Sequence, residues 1–232
     1  MAKLRALFGA DVESVAQADS VAVIGLGRFG RSLALELMCN GTEVLGIDAN
    51  EGIVQDLNGQ LTHVVMADAT KEAVLRQLAV PEFDRVVVAI GDDVESSILT
   101  TSLLLRFGIK HVWAKAVSDA HGMILEQLGV AHVIYPEKEM GKRVAHLVRG
   151  SMEDYLEIGE DFSLVKMMPP ARVVGKPLGE SKVRSTAGVT VIAVKPAGGT
   201  WSHTTADTVV AADDTILVAG PTRKAEEFSQ LR

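Results

Sequence analysis

Three glycines in the run Gly25-Leu26-Gly27-Arg28-Phe29-Gly30 stand between an apolar stretch at residues 20–24 and a helix-like segment starting at residue 28. That spacing suits the phosphates of a nucleotide. The first glycine permits a tight turn, the second lets the backbone approach a pyrophosphate, and the third lets the helix pack closely on the strand. Unpaired amides at the helix start, with the helix dipole behind them, attract an anion there. Asp48 ends the next apolar run, 18 residues after Gly30. This is close to the spacing of about 20 expected for an acid that accepts ribose hydroxyls. A carboxylate at that place repels a 2′-phosphate, which disfavours NADP. Asp68 and Ala69 close the third run, where a side chain can reach an adenine edge. Phe29, Asn50, Ile90 and Gly91 complete the candidate nucleotide-binding set.

Arg28 lies inside the loop, beside the expected phosphates. It is either a solvated residue at a helix start or a guanidinium for terminal phosphates, and the second reading favours ATP or ADP. A glycine turn kept only for packing is the alternative for the loop as a whole. The strand before it, the helix after it and the acid at the next strand end all speak for a bound adenine nucleotide or dinucleotide.

Catalysis has little to work with, and the chain is expected not to be an enzyme. The Tyr-x-x-x-Lys pair of short-chain dehydrogenases is missing, since Tyr135 has Glu139 at that offset. The six histidines are scattered. His63, His111 and His132 each begin an apolar run at the end away from the nucleotide crevice and read as structural. There is no histidine pair at metal-ligand spacing, no Gly-x-Ser-x-Gly and no Gly-Lys-Ser/Thr loop. Cys39, on the first helix, reads as a buried packing residue.

These residues need a scaffold, and the pattern along the chain supplies one. Near-continuous apolar runs at residues 21–24, 43–47, 63–67, 85–90, 111–116 and 132–135 read as parallel strands buried on both faces. Helical segments at 28–39, 51–57, 71–78, 94–107, 120–128 and 137–149 separate or follow them. Six strand–helix units give an α/β fold, a Rossmann-like doubly wound parallel sheet over residues 20–150. Residues 1–19 read as an N-terminal arm and the acidic residues 151–159 as a linker. Residues 160–232 read as a small α+β lobe with strands at 162–168, 189–195 and 215–220 and a terminal helix at 224–231. On the helix at 96–105, leucines on more than one face around Thr100 and Thr101 point to a second buried face and hence a subunit interface.

Composition narrows the class. The 232 residues carry a net charge of −7, are 47% hydrophobic and only 4% aromatic, and include one cysteine. This is ordinary globular composition. The longest uncharged stretches, such as residues 57–67, are far below the about 20 residues of a membrane span, and the short apolar stretch after Lys3 and Arg5 does not make a secretory signal. A lone cysteine fits a reducing cytosol. Residues 1–150 hold 14 basic and 19 acidic side chains, and residues 151–232 hold 9 and 11. Neither part has the clustered cations that nucleic-acid binding needs.

The stretches VAVIGLGRFGRSLALEL, EVLGIDANE, VVMADATKE, VVVAIGDDVESSILTTSLLL, HVWAKA and HVIYPEKEMGKRVA closely resemble the cytosolic regulatory subunits of bacterial Ktr/Trk potassium-uptake systems, which carry RCK domains. GKPLGES, GVTVIAVK and DDTILVAG resemble that family's C-terminal lobe. The resemblance implies a homodimer that assembles into a homo-octameric ring under an integral-membrane potassium-translocating channel subunit, peripheral at the inner face of the cell membrane. It implies ATP or ADP in the first lobe, with NAD(H) as the alternative. Gly25, Gly27 and Gly30 would hold the phosphates, Asp48 the ribose and Asp68 the adenine, with Arg28 at a γ-phosphate. Glu137 would either help bind a divalent or monovalent cation near the nucleotides or serve only as an acid in a helix's first turn. Some members bind cyclic di-AMP in the second lobe.

Overall fold

The computed structural model describes residues 20–149 and 151–231; the expected arm at 1–19 lies outside them. The chain divides into two units, Met1–Glu137 and Lys138–Arg232.

In the first unit, strands β1 (Ser20–Ile24), β2 (Glu43–Asp48), β3 (His63–Met66), β4 (Arg85–Val88), β5 (His111–Lys115) and β6 (His132–Ile134) are parallel and ordered β3-β2-β1-β4-β5-β6. Helices α1 (Arg28–Cys39), α2 (Glu51–Leu57), α3 (Glu72–Gln77), α4 (Val94–Arg106) and α5 (Asp119–Gln127) make the crossovers. Strand β1 shows why the apolar runs are unbroken. Ala22 and Ile24 face one core with Ile47, Val86 and Leu104, while Val21 and Val23 face another with Ala34, Val44 and Leu57. With both faces covered, the strand interiors are apolar and polar side chains fall at the strand ends, as Ser20, Asp48 and Lys115 do. Truncating a fully buried member such as Leu104 to alanine costs about 2–5 kcal/mol. Chain order reverses at β1, between β2 on one side and β4 on the other, which opens a crevice at the carboxyl ends of these strands.

Helix α4 turns Ser97, Thr100, Thr101 and Leu104 inward, and the three hydroxyls have no hydrogen-bond partner among the described residues. Leu99 is left 46% exposed. Cys39 is not the buried residue the sequence led one to expect. It ends α1 and is exposed, while its neighbours Leu37 and Met38 are the residues of that turn that pack on the core.

Helix α6 (Pro136–Arg149) begins on the last two residues of the first unit and continues into the second. The second unit also holds β7 (Met152–Ile158), β8 (Phe162–Met167), short helices α7 (Leu178–Ser181) and α8 (Val183–Ala187), β9 (Thr190–Lys195), β10 (Ser202–His203), β11 (Thr215–Pro221) and α9 (Thr222–Ser229). The antiparallel sheet runs β10-β9-β11-β8-β7 over a core of Tyr155, Val165, Met167, Ile216, Val218 and Phe228. Two expectations are corrected here. Residues 151–159 are not a linker, since Met152–Ile158 pairs with β8 as an edge strand. The division falls before residue 138, not at 150, because α6 belongs with the second unit. Leu147 packs on that core, Arg143 donates to Asp154 Oδ1 (Nε at 3.1 Å), and His146 stacks on Tyr155 with ring centroids 4.1 Å apart.

Candidate functional site

The glycine loop leaves β1 and enters α1 under tight steric limits. Gly25 has φ +90°, and a Cβ there would meet Ile90 N at 2.8 Å and Ala89 C at 2.9 Å. A Cβ on Gly30 would overlap the Gly25 carbonyl oxygen, while one on Gly27 would meet nothing within 4 Å. The first and third glycines therefore let backbone pack on backbone, and the second opens onto free space.

That space is a cleft of about 840 Å³, within the range of whole-ligand sites. It is lined by Gly25, Gly27, Arg28, Phe29, Asp48, Asn50, Asp68, Ala69, Ile90, Gly91 and Glu137. Every residue expected at the nucleotide site is thus brought together except Gly30, which sits behind the loop. The start of α1 has no side-chain cap and no acid in its first turn. The starts of α2, α4 and α5 are capped by Asn50, Asp93 and Ser118. The start of α3 also lacks a side-chain cap but has Glu72 in its first turn; the start of α1, with neither, lines the cleft, where an anion can take the cap's place.

Asp48 holds the loop. Its Oδ2 accepts from Leu26 N at 2.6 Å and its Oδ1 from Asn50 N at 2.8 Å. Each oxygen keeps a lone pair for a ribose hydroxyl. Asp68 Oδ1 accepts from the Thr70 hydroxyl and amide, which hold the carboxyl below the usual carboxylate range, with a smaller push from Lys71. Its Oδ2 is the oxygen left for a ligand, with Lys71 Nζ 3.8 Å away. Asn50 Oδ1 caps α2 through Gly52 N and Ile53 N, leaving its NH₂ for other contacts.

The structure adds one residue that sequence reasoning missed. Lys115, the last residue of β5, lies in the cleft wall only 8% exposed. Its Nζ donates to Glu137 Oε1 at 2.7 Å and lies 5.8 Å from the Phe29 ring centroid. That bond, then the Glu137 amide and more distantly Arg28, holds the Glu137 carboxyl below its ordinary range. The signal was a lysine closing an otherwise apolar strand run. No three His, Cys, Asp or Glu side chains converge among the described residues, and the Glu137 carboxylate accepts from the Lys115 ammonium. A separate cleft of about 680 Å³ in the second unit is lined by Lys182, Arg184, His203 and residues around them.

A glycine-cradled helix start, an acid at the end of β2 and a switch-point crevice define a Rossmann nucleotide-binding lobe, here followed by a small antiparallel lobe. The TrkA-N domain model matches residues 21–136 and the TrkA-C domain model residues 162–231. Ktr system potassium uptake protein C of Bacillus subtilis is 36% identical over 210 residues, covering 90% of this chain and 95% of that protein. Ktr system potassium uptake protein A of Vibrio alginolyticus is 33% identical over 204 residues, covering 88% and 93%. The chain belongs to the Ktr/Trk family of bacterial potassium-uptake regulatory subunits, the RCK-domain proteins. A solved structure of the GsuK channel bound to NAD shares the fold, with a TM-score of 0.64 at 17% identity. It covers 93% of this chain, and this chain spans 40% of the GsuK chain. No helix among the described residues is long and apolar enough to cross a membrane.

Proposed function

We propose that this chain is the nucleotide-sensing, non-catalytic subunit of a potassium-uptake channel, and that ATP and ADP compete for the cleft at β1–β4. It would dimerise, assemble as a homo-octameric ring and act on an integral-membrane potassium-translocating subunit from the cytoplasmic face. The observation that carries this reading is the uncapped start of α1, facing a cleft with Asp48 at its ribose end. Arg28, exposed at that start, gives ATP a contact that ADP lacks. A ligand shifts a ring only by its difference in affinity between two ring shapes. About 1–3 kcal/mol per site, summed over several sites, reaches the ~5.5 kcal/mol that turns 1:99 into 99:1. The exposed Leu99 on α4 suits a subunit contact.

A second reading, an NAD(H)-responsive subunit, draws on the cleft's reach beyond β4 to Lys115 at the end of β5 and Val117 just after it. The GsuK channel bound to NAD supports it. The basic side chains of the second cleft, Lys182 and Arg184, suit a second anionic ligand such as cyclic di-AMP. Calorimetric titration of nucleotide-stripped protein with ATP, ADP and NADH, at fixed Mg²⁺ and salt, tests these readings. Micromolar binding of ATP and ADP with weak NADH binding supports the first. NADH binding tighter than ATP replaces it with the second, and no binding by any of the three removes both.

A further inference from the structure

We propose that Lys115 is a specificity-determining residue of the cleft, and that it works by exchange: its ammonium rests on Glu137 until a ligand's terminal phosphate takes it, freeing the Glu137 carboxylate. This deepens the nucleotide-sensing reading and rests on it.

The cleft is rich in acid for a polyanion's site. Asp48, Asp68, Asp92, Asp93 and Glu137 line it against only Arg28 and Lys115. The two cations lie on the phosphate side, Lys115 beside the Phe29 ring of α1's first turn and against Gly91, where a Cβ would come within 3.1 Å of Nζ. An ammonium has three donors. Among the described residues Lys115 spends one, on Glu137. A nearly buried ammonium keeps its charge only with partners. Here the partner is lopsided, since the lysine side chain is 10% exposed and the glutamate 64%. The glutamate can move into water when released, whereas the lysine is fixed. A phosphate reaching the start of α1 meets a positioned ammonium whose present partner is a largely exposed carboxylate. Glu137 is also the last residue of the first unit, on the first turn of a helix whose remainder belongs to the second.

The test is titration of full-length protein with ATP, ADP and AMP, without divalent cations, for wild type, Lys115→Met, Glu137→Gln and the double variant. Losing a charge-assisted bond should weaken ATP about 10-fold or more in Lys115→Met, with AMP much less affected. Glu137→Gln removes the competitor, so ATP and ADP should bind severalfold tighter than to wild type, a gain that a merely structural ion pair would not give. The gain should vanish in the double variant. Because the Glu137 side chain is largely exposed, that variant folds even where Lys115→Met does not, and ligand-free melting of each variant checks this. Unchanged or weaker ATP binding in Glu137→Gln, or equal loss of AMP and ATP in Lys115→Met, overturns the exchange while leaving nucleotide sensing in place. A wild type that binds none of the three overturns nucleotide sensing itself, and the exchange falls with it.

Discussion

The Asp48 carboxylate and the Leu26 amide lie 22 residues apart in the chain and 2.6 Å apart in space. One side chain at the end of β2 thus fixes the glycine loop after β1, and its second oxygen fixes Asn50 at the start of α2. The ribose acceptor and the loop brace are the same group. Asp48→Ala should therefore lower both affinity and stability, the latter by about 1–3 kcal/mol for the two backbone donors left behind. Asp48→Asn keeps one acceptor oxygen, so it should lose less stability while still losing affinity. Chemical denaturation beside nucleotide titration separates the two effects; equal stability loss in both variants would remove the bracing role.

Two neighbouring glycines should respond in opposite ways to alanine. Gly25→Ala places a Cβ at φ +90° against the backbone of Ala89 and Ile90. Strain of about 1–3 kcal/mol should appear as a lower melting temperature. Gly27 has φ −62° and open space where its Cβ would go. Gly27→Ala should melt like wild type yet bind nucleotide more weakly, because the methyl enters the phosphate's approach. A Gly27→Ala variant of full affinity would show that the ligand does not approach the loop there.

Arg28→Ala should cut the preference for ATP over ADP and leave ADP affinity largely intact. The guanidinium lies at the start of α1, close enough to Glu137 to favour that carboxylate's charge, and contributes nothing to the core. Competition of ATP and ADP for the variant reads this out directly. Equal loss of both ligands would place Arg28 at the inner phosphates instead.

His121 should make the first unit acid-sensitive. It is 2% exposed on α5, its Nδ1 accepts weakly from Val117 N at 3.4 Å, and its Nε2 has no partner among the described residues. Burial pushes its pKa below the ordinary 6.5. The unfolded chain then takes up a proton that the folded chain refuses, so stability falls as pH drops below about 6.5 until the folded value is passed. The slope reaches at most about 1.4 kcal/mol per pH unit. His121→Gln should flatten the curve of denaturation midpoint against pH between about 5 and 7. An unchanged slope would assign it to other groups.

Most of the first unit was legible because burial on both sheet faces writes each strand as an apolar run. The glycine spacing then located the switch point between β1 and β4. The elements that the sequence hid are those without a two-sided apolar signature. β7 is an edge strand whose Glu153, Asp154 and Glu157 face water or cations, so its sequence reads as acidic linker. The helices Leu178–Ser181 and Val183–Ala187 are too short to show a period. Lys115 was missed as a site residue because its partner lies 22 residues away, a distance that the parallel pairing of β5 and β6 closes.

The same edge strand supplies a last expectation. Asp154 Oδ1 accepts from Arg143 of α6 and from the Tyr155 amide. Arg143 first, then that amide and Lys166, holds the Asp154 carboxyl below its usual range. A depressed folded pKa means stability that is present above the unfolded value, about 3.9, and is lost as pH falls through the folded one. Both side chains are roughly two-fifths exposed, so solvent screening keeps the pair to under about 1 kcal/mol. Asp154→Asn should therefore lower the melting temperature slightly at pH 7 and in moderate salt, less in high salt, and by progressively less as pH falls below about 3.9 and on through the depressed folded value. A difference that persists unchanged at the lowest pH would mean that Asp154 acts through packing and its amide bond, with the arginine only a neighbour.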